Sequence, residues 1–106
     1  MTGINGADIR KIVVACDAGM GSSVMLASQL RRELQSSSIC VEHHSVDSIP
    51  ADVDVVVCHS ALAQRTRECS PGVVVVPFHI FFGDPAVAAL VSAVKNRQQL
   101  YGSPRP

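Results

Sequence analysis

Among its 106 residues the chain has no tryptophan, one tyrosine and three phenylalanines, so its core must be built from aliphatic side chains. It has no excess of charge either. Nine basic residues cancel nine acidic ones, which leaves no uniform field to hold nucleic acid or an anionic membrane. The apolar runs, those around 73–76 and 78–82 among them, fall well short of the ~20 residues that cross a bilayer. Four cysteines, at 16, 40, 58 and 69, form no C-x-x-C pair. The spacing of a zinc site or a thioredoxin-type motif is therefore missing, and neither a metal nor another cofactor is expected. Met1-Thr2-Gly3-Ile4-Asn5-Gly6 has neither the basic nor the apolar region of a secretory leader, so the thiols are expected to sit in a reducing cytoplasm.

What is present is enough for one compact domain: 47% of the residues are apolar and they fall in several short runs. Residues 1–9 and 101–106 show no hydrophobic period and read as tails around a domain at 10–100. Residues 11–15 form a short β-rich run of the kind buried in a parallel sheet. From Ser22 onward Val24, Met25, Leu26, Leu30 and Leu34 recur at helical spacing, with Gln29, Arg31, Arg32, Glu33 and Gln35 on the wet side. Residues 39–43 alternate as a second strand, 53–58 form a third, nearly unbroken apolar strand, and 73–76 a fourth. Ser60 is expected to cap a short helix running to about residue 68, and Asp84-Pro85 has the cap-plus-proline form of a helix start. The order β-α-β-β-α-β-α predicts an α/β fold: an open, mostly parallel sheet with helices on both faces and ligands at the carboxyl ends of the strands.

The segment after the first strand reads Cys16-Asp17-Ala18-Gly19-Met20-Gly21-Ser22-Ser23. Gly19 and Gly21 permit backbone conformations in which successive N–H groups point inward, making an anion cradle at the positive end of the following helix. Ser22 and Ser23 are placed to cap that helix and to offer hydroxyls to phosphate oxygens. A cysteine at the mouth of such a cradle is expected to favour its thiolate, and a ring of amides stabilises a phosphoryl group in transit. An isolated cysteine is most often an inert core residue; here two glycines, two serines and a helix start within eight residues favour the chemical reading. No lysine follows the glycines, which disfavours a Walker A loop. A low-molecular-weight tyrosine phosphatase would need an arginine where Ser22 stands, and Asp84-Pro85, which superficially matches its general acid, reads better as a helix cap.

Val13-Val14-Ala15-Cys16-Asp17-Ala18-Gly19-Met20-Gly21-Ser22-Ser23, with Arg31-Arg32 farther along, resembles the B domain of the mannitol-type permeases of the bacterial sugar phosphotransferase system. The likeness continues through Pro50-Ala51-Asp52-Val53-Asp54 and the strand ending at His59, and covers most of 11–95. The resemblance implies a Rossmann-like, three-layer fold with a four-stranded parallel sheet in the order 2-1-3-4. It implies a phosphotransferase in which Cys16 takes a phosphoryl group from a histidine of the A domain and passes it to a sugar or polyol, mannitol or a relative, held by the membrane C domain. Carried over by position, Asp17, Ala18, Gly19, Met20, Gly21, Ser22 and Ser23 surround the phosphate, and His59 is an accessory residue on the same sheet edge. Arg31 and Arg32 could meet acidic partner surfaces, although charges on a helix face more often serve solvation. Cys40, Cys58 and Cys69 are read as packing residues. The implied carrier is monomeric by itself, needs no nucleotide or metal, and works at the inner face of the membrane. A rival reading is a phosphorylation module of a transcriptional regulator. The apolar segment from Pro77 to Pro85 has no counterpart in the resemblance and reads as a core plug or a docking patch.

Overall fold

The computed structural model describes residues 3–16, 21–70, 72–80 and 84–101. Strands β1 (Gly3–Asn5), β2 (Lys11–Cys16), β3 (Cys40–Ser45), β4 (Val55–His59), β5 (Val74–Phe78) and β6 (Gln99–Tyr101) alternate with helices α1 (Gly21–Glu33), α2 (Ala63–Cys69) and α3 (Pro85–Asn96). Four strands form a parallel sheet in the order β3-β2-β4-β5, the expected order once β1 is set aside.

From β2 the chain crosses by α1 to one side of the sheet, and from β4 it crosses by α2 to the other. Right-handed crossovers moving in opposite directions must place their helices on opposite faces, and the core divides accordingly. Ile12, Val14, Val41, Val55, Val57, Val74 and Val76 pack with Leu26, Leu30 and Leu34 of α1 and Val87, Leu90 and Val94 of α3. Val13, Ala15, Val56, Cys58 and Val75 pack with Val46 and Ala63 on the other face. Neighbouring residues of one strand alternate between the two clusters, so these strands are apolar without interruption.

Two element ends and one buried stripe differ from the sequence expectation. β4 begins at Val55, because the Asp54 carboxylate turns aside to accept the Arg10 and Lys11 N–H groups at 2.8 and 3.0 Å. The Pro50–Asp54 motif thus clamps the start of β2, and Asp52 adds a contact to Lys11 Nζ at 3.1 Å. This bond to Asp52 raises the Lys11 ammonium above its ordinary range. β5 runs through Pro77 to Phe78, which an edge strand tolerates because one side of it needs no ladder donor. In α1 the buried stripe is Leu26, Ala27, Leu30 and Leu34, whereas Val24 and Met25 are 47% and 60% exposed, although their spacing had placed them in the core.

Residues 3–5, which have no hydrophobic period, pair antiparallel with 99–101, Gly3 opposite Tyr101 and Asn5 opposite Gln99. The Gly6 N–H donates to Gln98 O at 2.8 Å, closing this clasp. A Cβ on Gly6 would run into the Ala93 carbonyl and the Val94 backbone, neither of which is a flexible side chain that can swing aside. Gly6→Ala is expected to cost about 2 kcal/mol by overpacking, read as a lower urea midpoint. An unchanged midpoint would show that the clasp adds nothing to stability.

Candidate active site

Cys16 closes β2, the strand flanked by β3 and β4, and Gly21 opens α1. Since the connections from β2 and β4 run in opposite directions, the crevice beyond their carboxyl ends is the switch point at which open α/β sheets bind ligands. Cys16 is 4% exposed and continues the row Ile12, Val14, on the face covered by α1 and α3. The expected phosphate residues Asp17, Ala18, Gly19 and Met20 lie outside the described residues. Gly21, Ser22 and Ser23 form the first turn of α1, so both serines sit inside the helix instead of at its N-cap. Their backbone N–H groups are among those for which a helix offers no internal acceptor.

The side chain found against the Cys16 thiol is one that the sequence reading did not single out. His43 Nε2 stands 3.0 Å from Cys16 Sγ. The β2–β3 register sets Val14 beside His43 and Cys16 beside Ser45, and alternation puts His43 on the same face as Val41 and Cys16. The signal was in the sequence: a histidine on the core-facing parity of the second strand, near its end. It became a neighbour of Cys16 only through the register.

His59 ends β4 at the same edge, on the face of Val55 and Val57. Its ring is held from two sides. The Ala61 N–H donates to Nδ1 at 3.1 Å, so His59, and not Ser60, caps the turn before α2, and the ring meets Phe78 edge-on with centroids 5.7 Å apart. With Nδ1 accepting, the proton of the neutral ring sits on Nε2. Beyond it, Ser60 Oγ lies 3.1 Å from His79 Nδ1.

Asp84 shapes the far end of this edge. Its Oδ1 accepts the Ala86 N–H at 2.8 Å, capping α3, and its Oδ2 accepts those of His79 and Ile80 at 2.7 and 3.2 Å. Burial alone would push this carboxyl up, but the three backbone donors hold it below the ordinary carboxylate range. It therefore serves as a cap. In the segment from Pro77 to Pro85, Phe78 plugs the core at 1% exposure while Ile80 is 53% exposed; residues 81–83 lie outside the described residues.

The remaining expectations divide. Cys58 is buried, and burial pushes its thiol up, as suits an inert core residue. Cys40 and Cys69 are exposed, so the packing role does not hold for them. Cys40 lies on the outer face of the edge strand, where its Sγ donates to Glu42 at 3.4 Å; Cys69, at the end of α2, faces Asp47. Arg31 Nε donates to Val41 O at 2.8 Å, tying α1 to β3. Glu42 accepts from His44 at 2.7 Å, and this bond, with that from Cys40, holds its carboxyl below the ordinary range. Among the described residues no cluster of three His, Cys, Asp or Glu side chains is arranged to hold a metal ion, and no helix is long and apolar enough to cross a membrane.

The comparisons with known proteins agree with this architecture. A family model described as "PTS system, Lactose/Cellobiose specific IIB subunit" matches residues 11–93. The chain is 36% identical over 92 residues to the mannitol-specific EIICB component of the phosphotransferase system in Geobacillus stearothermophilus, covering 85% of this chain and 20% of that protein. It is 44% identical over 70 residues to the mannitol-specific EIICBA component of Vibrio cholerae, covering 64% of this chain and 11% of that protein. With the Escherichia coli K12 mannitol-specific EIICBA component it shares 46% identity over 66 residues, 59% of this chain and 10% of that protein. The chain thus spans about a fifth or less of the length of these relatives. With a family match over 11–93 and a four-stranded parallel sheet carrying a cysteine at the end of β2, the chain belongs to the IIB family of the sugar phosphotransferase system.

Proposed function

We propose that this chain is a phosphocysteine carrier: Cys16 accepts a phosphoryl group from a phosphohistidine of an A domain and delivers it to mannitol or a related polyol held by a membrane C domain. The observation that carries the reading is the position of the thiol, at the carboxyl end of an inner strand, on the switch-point crevice, and followed in sequence by the glycine- and serine-containing turn into α1. Asp17 to Ser23 then supply the amide and hydroxyl donors around the phosphate, and His59 Nε2–H adds one from the neighbouring strand. The polyol assignment is supported by the mannitol-specific names of the relatives. Those names also describe components in which C and B, or C, B and A, are joined, which supports both partners. The setting that follows is the cytoplasmic face of the membrane.

Both transfers are in-line displacements in which positioning and electrostatics do most of the catalysis. A thiolate attacks well near neutral pH and also leaves readily, so the phosphoryl group is not trapped between steps. Val24, Met25 and Ile80, exposed at the carboxyl end of the sheet, give the transient partners an apolar footing.

The test is incubation with phosphoenolpyruvate, the general phosphotransferase proteins and a cognate A domain, followed by intact mass and peptide mapping. One phosphoryl adduct on Cys16 is the expected result. With a demonstrably active A domain, a chain that stays unmodified would remove the carrier reading.

A further inference from the structure

We propose that His43 is a catalytic residue, the proton partner of the Cys16 thiol. This rests on the carrier reading above and names a group that the loop sequence does not contain. Nε2 lies 3.0 Å from Sγ, within the reach at which a base takes a proton directly. Cys16 is 4% exposed, and His43 Nε2 is the proton acceptor set against its sulfur. His43 is itself half-buried and comes from a strand whose register with β2 fixes it there.

In the loading step Sγ attacks phosphorus and its proton passes to His43 Nε2. The S–P bond forms as the P–N bond to the donor imidazole breaks. That bond's electron pair stays on the donor nitrogen, and the ring, already protonated at its other nitrogen, leaves neutral. The imidazolium of His43 then sits beside the phosphocysteine and offsets its charge. In the unloading step a polyol hydroxyl attacks phosphorus and releases its proton to water. The S–P pair returns to Sγ, and the His43 N–H donates a hydrogen bond to the thiolate.

Among the described residues few charges compete at this point. Cys16 faces His43 from β2. From α1 comes Arg31, bonded to Val41 O two residues back along β3. Glu42 and His44 flank it but alternate to the opposite face, where they bond each other and Lys11 joins Glu42 at 3.5 Å. Asp47, in the turn after β3, is paired with Arg65, and His59 lies beyond β2 on β4.

The experiment compares wild type, His43→Gln, His43→Asn and, as a surface control, His44→Gln. Native protein is alkylated with iodoacetamide from about pH 5.5 to 9 and the label at Cys16 is quantified by peptide mass. Single-turnover transfer from the phosphorylated A domain is followed over the same range. Both His43 variants are expected to lose Cys16 alkylation about tenfold near pH 6 and transfer about a hundredfold, with alkaline pH restoring much of each, while His44→Gln follows wild type. Variants at 43 that match wild type in rate and pH profile would overturn the proposal and leave the carrier reading intact. A wild type that never takes a phosphoryl group would sink the carrier reading, and the alkylation profiles would then decide whether His43 governs the thiol.

Discussion

Sugar phosphorylation by a reconstituted system carrying Cys16→Ser in this domain is expected to fall at least about a thousandfold, with stability at neutral pH nearly unchanged. The two effects separate because the exchange alters little volume and much chemistry. Serine fits a site shaped for cysteine, but its hydroxyl ionises far less readily than a thiol, so the attacking species becomes scarce at neutral pH. A serine phosphate would also hold its group more tightly, since an alkoxide leaves less readily than a thiolate. Any adduct formed on the substituted hydroxyl should therefore accumulate without turnover, which a coupled assay and an intact mass distinguish. Sugar phosphorylation at the wild-type rate would show that Cys16 carries nothing and that the edge of β2 is a structural thiol site.

The second large effect concerns stability. Asp84→Ala is expected to cost about 3 kcal/mol at pH 7: about 1 for the lost helix cap, the rest for the His79 and Ile80 N–H groups left without their acceptor. Its pH dependence has a definite sign. The folded carboxyl is held below the ordinary range by the three donors, so its contribution is complete above the ordinary carboxylate value of about 4 and fades as pH falls through the lower folded value. Urea melts should therefore show wild type and Asp84→Ala far apart at neutral pH and closer in strong acid. Asp84→Asn, which keeps one acceptor without the charge, should fall between them. A gap that is constant with pH would mean that the carboxylate charge adds nothing to the cap.

The fold was legible because its strands and helices have different periods. The Val-rich runs of β2, β4 and β5 could be placed only in a buried parallel sheet, and Leu26, Leu30 and Leu34 marked the inner side of α1. Asp84-Pro85 could be read as a helix start from the chemistry of a cap alone. What was not legible depends on contacts distant in sequence. β1 and β6 are three residues each and hold no hydrophobic pattern; they exist because Gly6 lets the backbone press against α3. Val24 and Met25 fit a helical spacing but stay 47% and 60% exposed, where none of the described elements covers them. At the candidate site, Cys16 was singled out by its own loop, whereas His43 is 27 residues away and meets it only through strand register. A motif displays the groups that are neighbours along the chain and is silent about those brought in sideways.

The antiparallel clasp between β1 and β6 has a mechanical consequence. With Gly3 beside Tyr101, the chain enters and leaves the fold side by side, near the amino ends of the strands and opposite the edge that bears Cys16. A pull on the two ends would peel the clasp open one pair at a time and leave the four-stranded sheet unloaded.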